Sequence, residues 1–162
     1  MRFFEDIEIG TRVEFGGYTF TTDNIKAFAA QFDPQRYHLD EEAGRASVFG
    51  GLAASGWHTA SACMKTMVTS MERERDAALA RGEDAPIGGP SPGFTNMKWL
   101  RPVLAGDTVS YASDVTGKRI SESRPQWGLI FKLVTGTNQR GERVFSFEGS
   151  AFMPRREHPA QG

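Results

Sequence analysis

One helix constrains this chain more than any other feature. In "GWHTASACMKTMVTSMERE", residues 56–74, Trp57, Ala60, Met64, Met67, Val68 and Met71 recur at helical spacing and form one apolar stripe. Ala62 and Cys63 widen that stripe, so the first turns read as buried nearly all round. Only the end, "MERERDAALARGED", turns polar. A single flat neighbour cannot cover such a helix, whereas a sheet curled around it can.

The rest of the chain supplies that sheet. From Phe94 onward the pattern alternates as in strands: "FTNMKWLRPV", "GDTVSYASDVTG", "WGLIFKLVTGTN" and "RVFSFEGSAFM". They are separated by the turns "LAGD", "SESRPQ" and "NQRGE", the last a hairpin loop with Gly141 suited to positive φ. In the last strand Phe145, Phe147, Gly149, Ala151 and Met153 mark the buried face. A further strand, "TRVEFGGYTFTT", opens the chain, with Gly16 and Gly17 marking a bulge or turn.

Between that strand and the long helix, Thr21 or Thr22 caps a helix whose apolar face is Ile25, Phe28, Ala29 and Phe32. Pro34 ends it, because the residue before a proline is pushed out of the α region. Asp33 therefore stands at a helix exit. Asp40 caps a second short helix with Glu41 and Glu42 in its first turn. The expected architecture is α+β, a curved antiparallel sheet of five or more strands around one long central helix. We read residues 1–162 as one domain, with an ordered core over about 3–153 and a polar, frayed tail over 154–162. The Gly/Pro-rich connection "RGEDAPIGGPSPG" reads as a long loop covering a pocket.

Composition excludes several functions. Nineteen Lys and Arg stand against twenty Asp and Glu, with no block of like charge, which argues against a nucleic-acid or polybasic membrane surface. There is neither a secretory leader pattern nor an uninterrupted apolar span, so a cytoplasmic location is expected. Cys63 has no intrachain partner and falls in the apolar helix, as a buried small hydrophobe.

The chemistry-bearing stretch is "DPQRYH", residues 33–38. Read one residue at a time, Asp33 caps a turn and His38 is an ordinary surface or core histidine. As a pair, they are one ionised base and one group able to carry a proton at neutral pH, held around a shared water. The helix opening at Gly56 points unpaired backbone N–H groups outward, which suits a developing oxyanion. The combination suggests adding or removing water next to a carbonyl. A metal site would need more converging ligands than the spacing offers, so none is expected.

These residues carry a resemblance. The chain resembles the MaoC-like dehydratases, relatives of the (R)-specific enoyl-CoA hydratases of the hotdog fold. "DPQRYH" keeps the Asp and His of the family motif D-x-N-P-x-H at the same separation. "HLDEEAGRASVFGGLAASGWH", the opening "FFEDIEIGTRVEFGGYTFTTDNIKAFA" and "RPVLAGDTV" are similar to family segments in the same order, so the likeness covers about residues 3–153.

The resemblance implies reversible hydration of a trans-2-enoyl-CoA to a 3-hydroxyacyl-CoA, within fatty acid metabolism. Asp33 and His38 would be the catalytic pair and Gly56 the oxyanion donor, with Gln35, Arg36, Ser55 and Trp57 contacting substrate. It implies a homodimer and no cofactor beyond the CoA of the substrate. Which of Asp33 and His38 is the base stays open. Gln35 and Arg36 replace the motif's Asn and Pro, and Ser55 stands where relatives often have His. Two other functions compete: a hotdog thioesterase, which would want a carboxylate in the central helix before Glu72, and a non-catalytic acyl-thioester binder. His58 reads as helix surface or pocket lining, Trp57 and Trp99 as core or dimer contacts. Lys98 and Arg101 read as rim cations for CoA phosphates or as solvated strand ends.

Overall fold

The computed structural model describes residues 3–156. After a short 3-10 turn at Phe4–Asp6 come β1 (Arg12–Thr19), α1 (Thr22–Phe32), α2 (Arg36–Leu39), α3 (Glu41–Ala46) and α4 (Gly56–Ala80). Strands β2 (Phe94–Trp99), β3 (Thr108–Ile120), β4 (Trp127–Asn138) and β5 (Arg143–Pro154) follow. All pairings are antiparallel and the strand order is β1-β3-β4-β5-β2.

Local signals set the boundaries. The Thr21 hydroxyl accepts the Asn24 N–H and starts α1; the Asp40 carboxylate accepts the Ala43 N–H at 2.7 Å and starts α3. The bulge expected near Gly16 lies in β1, between Glu14 and Gly16. The β4–β5 hairpin turns through Gly141 at φ 79°, where a side chain would be strained. Helix α2 has no periodic signature of its own and was not anticipated.

The core lies between α4 and the inner face of the sheet. Phe20, Ile25, Cys63, Val109, Tyr111, Val144 and Phe145 are all essentially inaccessible there. The Tyr111 hydroxyl is satisfied by the Thr59 carbonyl at 3.0 Å, tying β3 to α4. Truncating Phe20 or Phe145 to Ala is worth about 3–5 kcal/mol.

Three expectations are corrected. Helix α4 runs to Ala80 rather than Glu74. Its buried residues are His58, Thr59, Ala62, Cys63 and Ala78; of the expected stripe Ala60, Met67 and Met71 are half-buried, and Trp57, Met64 and Val68 are about half exposed (55%, 51% and 42%). Small residues let the first turns of the helix lie close to the sheet; Trp57, Met64 and Val68 stay exposed, whereas Met67 and Met71 sit beside β1 and β3. The tail is also partly tied down, since Arg155 and Arg156 reach Glu5 and Asp6 at 3.2 and 2.6 Å; residues 157–162 lie outside the described residues.

Candidate active site

The chain turns twice within six residues to bring Asp33 and His38 together. Asp33 is the C-cap of α1, with its N–H on the Ala29 carbonyl. Pro34 carries the chain out, Gln35 accepts the His38 N–H at 2.9 Å, and the single turn of α2 returns His38 toward Asp33. The result is 3.5 Å between His38 Nε2 and Asp33 Oδ2.

Each partner is held from elsewhere. His38 is buried, and its Nδ1 lies 2.7 Å from the Ala53 carbonyl. A carbonyl only accepts, so Nδ1 carries the proton and neutral His38 offers Nε2 as a lone pair. Ser55 donates its hydroxyl to Asp33 Oδ2 at 2.7 Å, and Gln35 donates its amide to Oδ1 at 2.8 Å. The Tyr37 hydroxyl donates to the Gln35 side-chain oxygen, which orients that amide toward Asp33. Partial burial pushes the Asp33 carboxyl up, but the Ser55 and Gln35 hydrogen bonds and the nearby imidazole outweigh it. The net shift is below the usual carboxylate value, so Asp33 is ionised at neutral pH.

Both groups open into a cleft of about 390 Å³, whose wall includes Tyr37, Phe49, Gly56, Trp57, Trp99 and Arg101. Ser55 caps α4 by accepting the Trp57 N–H at 3.2 Å, so one hydroxyl serves both the helix and Asp33. The Gly56 N–H, at the first helical position, has no partner among the described residues. Gly is required there by a neighbour: a Cβ would lie 2.6 Å from the Trp99 indole, whose Nε1–H donates to the Gly56 carbonyl at 2.8 Å.

The remaining expected residues fall as follows. Trp57 lies at the cleft mouth, edge-on to Trp99 with ring centroids 5.4 Å apart. Gln35 and Ser55 line the cleft, and both spend hydrogen bonds on Asp33. Arg36 is exposed and does not line it. It is the first residue of α2, the one helical position where a proline fits as well as any residue. The motif's Pro and this Arg are therefore interchangeable for the backbone.

Arg101 lines the mouth, 3.9 Å from Glu142; Lys98 is not part of it. His58 is buried away from the cleft, stacked on Phe28. The 81–93 connection does not line this cleft; its Pro92 and Gly93 line a separate pocket beside Phe94 and Thr95. Its Gly89 N–H bonds to Phe152, near the far end of β5 from the site. Burial pushes the Cys63 thiol up to about 12, so it stays protonated. Among the described residues no group of three His, Cys, Asp or Glu could hold a metal ion.

The roles of Tyr37, Ala53 and Trp99 were not anticipated. Tyr37 sits inside the motif, so spacing could have suggested it. A backbone carbonyl has no sequence signal, and Trp99 arrives from 43 residues away.

An antiparallel sheet wrapped around a long helix is the hotdog architecture. The MaoC-like domain profile matches residues 5–128, and the chain belongs to that family. A solved structure, the MaoC-like dehydratase from Rhodospirillum rubrum, is 36% identical with a TM-score of 0.81, covering 96% of this chain and 99% of that one. The uncharacterized protein YdeM of Bacillus subtilis is 26% identical over 93% of this chain and 98% of its own. Mesaconyl-CoA hydratase of Haloarcula marismortui is 34% identical over 74 residues, 45% of this chain but only 21% of that protein.

Proposed function

We propose that this protein hydrates a trans-2-enoyl-CoA reversibly to a 3-hydroxyacyl-CoA. The observation that carries the reading is the 3.5 Å Asp33–His38 pair sharing one cleft with the unpaired Gly56 N–H. Family membership and the partial likeness to a CoA-ester hydratase support the same class.

With Nδ1 committed to Ala53, His38 Nε2 is the base, and ionised Asp33 accepts the second hydrogen of the water. The water oxygen bonds to C3 as one proton passes to Nε2. The C2=C3 electron pair moves onto the thioester oxygen, where the Gly56 N–H and the α4 N-terminus stabilise the enolate. The His38 imidazolium, steadied by Asp33, returns a proton to C2. Water is consumed, neutral His38 is regenerated, and no cofactor beyond the substrate's CoA enters.

A thioesterase is less well supported, because the first carboxylate of α4 is Glu72, about 24 Å along the helix from Gly56. For a silent acyl-thioester binder, the ionised, hydrogen-bonded Asp33 would serve no purpose.

The exposed Trp57, Met64 and Val68 stripe, with Phe94 and Trp99 on the edge strand β2, fits burial against a second copy, so we read the protein as a homodimer. Light scattering on wild type and Met64→Glu tests this; a wild-type monomer at micromolar concentration would reject it. Among the described residues no helix is long and apolar enough to cross a membrane, and we place the protein in the cytoplasm as part of the same reading.

The decisive experiment follows loss of enoyl absorbance on a panel of trans-2-enoyl-CoAs of different chain length. Turnover by wild type that is lost in Asp33→Asn and His38→Ala supports the hydratase. Release of free thiol without hydration would replace it by a thioesterase.

A further inference from the structure

A second cavity of about 580 Å³ lies away from the cleft, between the later turns of α4 and strands β1, β3 and β4. Its wall is largely apolar, with Phe15, Met67, Met71, Val115 and Met153. Two polar groups on the inner face of the sheet break that pattern. Ser113 is 1% exposed and lines the cavity, and its hydroxyl has no hydrogen-bond partner among the described residues. Lys132 lies opposite Val115 across the β3–β4 ladder, two residues along from Ser113, so it projects from the same face.

Lys132 makes no hydrogen bond or ion pair with a described residue, although Glu74 on α4 attracts it at longer range. Burial pulls its ammonium below the ordinary lysine value, so the position penalises the charge it carries. A half-buried lysine on the inner face of the sheet, next to an unpaired buried hydroxyl, is costly unless something satisfies both. The other charged groups of the wall come from different elements. Arg12 is engaged by Glu14 and Asp114, and Arg73 and Glu74 belong to α4.

We propose that this cavity is a second ligand site, for a monocarboxylate with an aliphatic tail. The carboxylate would accept from the Lys132 ammonium and the Ser113 hydroxyl, and the tail would lie against Phe15 and the three methionines. The volume falls in the range of sites for small amphiphilic ligands, and the donors are of the sign and type that a carboxylate needs. Nothing in the assignment depends on the chemistry at Asp33 and His38.

The test uses methyl-13C-methionine protein titrated with decanoate below its aggregation concentration, with decanol as the uncharged probe of equal tail. The expected result is saturable shifts of the Met67, Met71 and Met153 methyls, with Met64 and Met97 unmoved. Lys132→Met should weaken decanoate at least tenfold and leave decanol unchanged, and wild type should prefer decanoate to decanol. Ser113→Val, which removes the hydroxyl and narrows the head of the cavity, should weaken decanoate as well. Asp33→Asn should bind decanoate as wild type does. Equal binding of decanoate and decanol by wild type would overturn the proposal without any variant. So would decanoate binding unaffected by Lys132→Met, or methyl shifts confined to residues at the Asp33 cleft.

Discussion

His38 and His58 are equally buried, each 5% exposed, and both lie close to the start of α4, yet their surroundings differ in the respect that matters for proton transfer. His38 has a carbonyl on Nδ1 and a carboxylate facing Nε2. A proton arriving at Nε2 meets a negative charge. His58 lies in a nest of rings: Phe28 stacks on it at 4.6 Å, Phe20 meets it edge-on at 4.9 Å, and Tyr18 offers only a 3.3 Å hydroxyl contact. Its Nδ1 has no partner among the described residues, and burial pushes its pKa down to about 4. Burial alone therefore makes a histidine inert; burial with a fixed tautomer and a nearby carboxylate makes it a candidate base.

The largest effect expected from this contrast is on catalysis. His38→Ala and Asp33→Asn should each lower kcat/KM on enoyl-CoA by about 10³-fold or more, while His58→Phe should stay within about threefold of wild type. Steady-state rates on the three variants check this, and a His58→Phe collapse with unchanged melting temperature would break the comparison.

The next effect is on stability. Because His58 titrates near 4 in the fold and near 6.5 when unfolded, the unfolded state binds the extra proton first. Its contribution is intact above about pH 6.5 and is lost progressively as pH falls to about 4. The loss is of the order of 3 kcal/mol. Urea midpoints from pH 8 to 4 should show that decline in wild type and a flatter line in His58→Phe.

Smaller again is the effect of Ser55→Ala. With the Ser55 hydrogen bond gone, burial has less opposition and the Asp33 pKa rises. The acidic limb of the pH–rate profile should then move to higher pH, with about 1 kcal/mol lost from the α4 cap. An unmoved acidic limb would remove Asp33 from that limb. The smallest effect belongs to Arg36→Pro. Gln35 already has the extended backbone that a following proline wants (φ −77°, ψ 140°), and Arg36 occupies the first position of α2. Turnover and melting temperature should stay close to wild type, and a changed chain-length preference would show that Arg36 meets substrate after all.

Much of this was legible in the residues. Strand periodicity placed β3, β4 and β5, and capping chemistry placed the starts of α1 and α3, because both are local rules. The Asp33/His38 pair was legible because Pro34 stops one helix and the separation is short. The direction of α4 was legible only in part: Ala62, Cys63, Met67 and Met71 turn toward the sheet, whereas Trp57, Met64 and Val68, read as members of the same stripe, are left exposed. Periodicity says which residues share a face, and does not say which face meets the sheet when both are apolar.

Local sequence thus determined the elements, the turn that joins Asp33 to His38, and the Gly at the head of α4. Tertiary structure alone decided the chemistry of the pair. The Ala53 carbonyl that sets the His38 tautomer, the Ser55 hydroxyl that holds Asp33 across 22 residues, and the Trp99 ring over Gly56 all arrive through packing. The physical reason is range. Backbone propensity and capping act within a few residues, whereas hydrogen bonds and burial, which set protonation states, depend on segments that meet only once the sheet has closed around the helix.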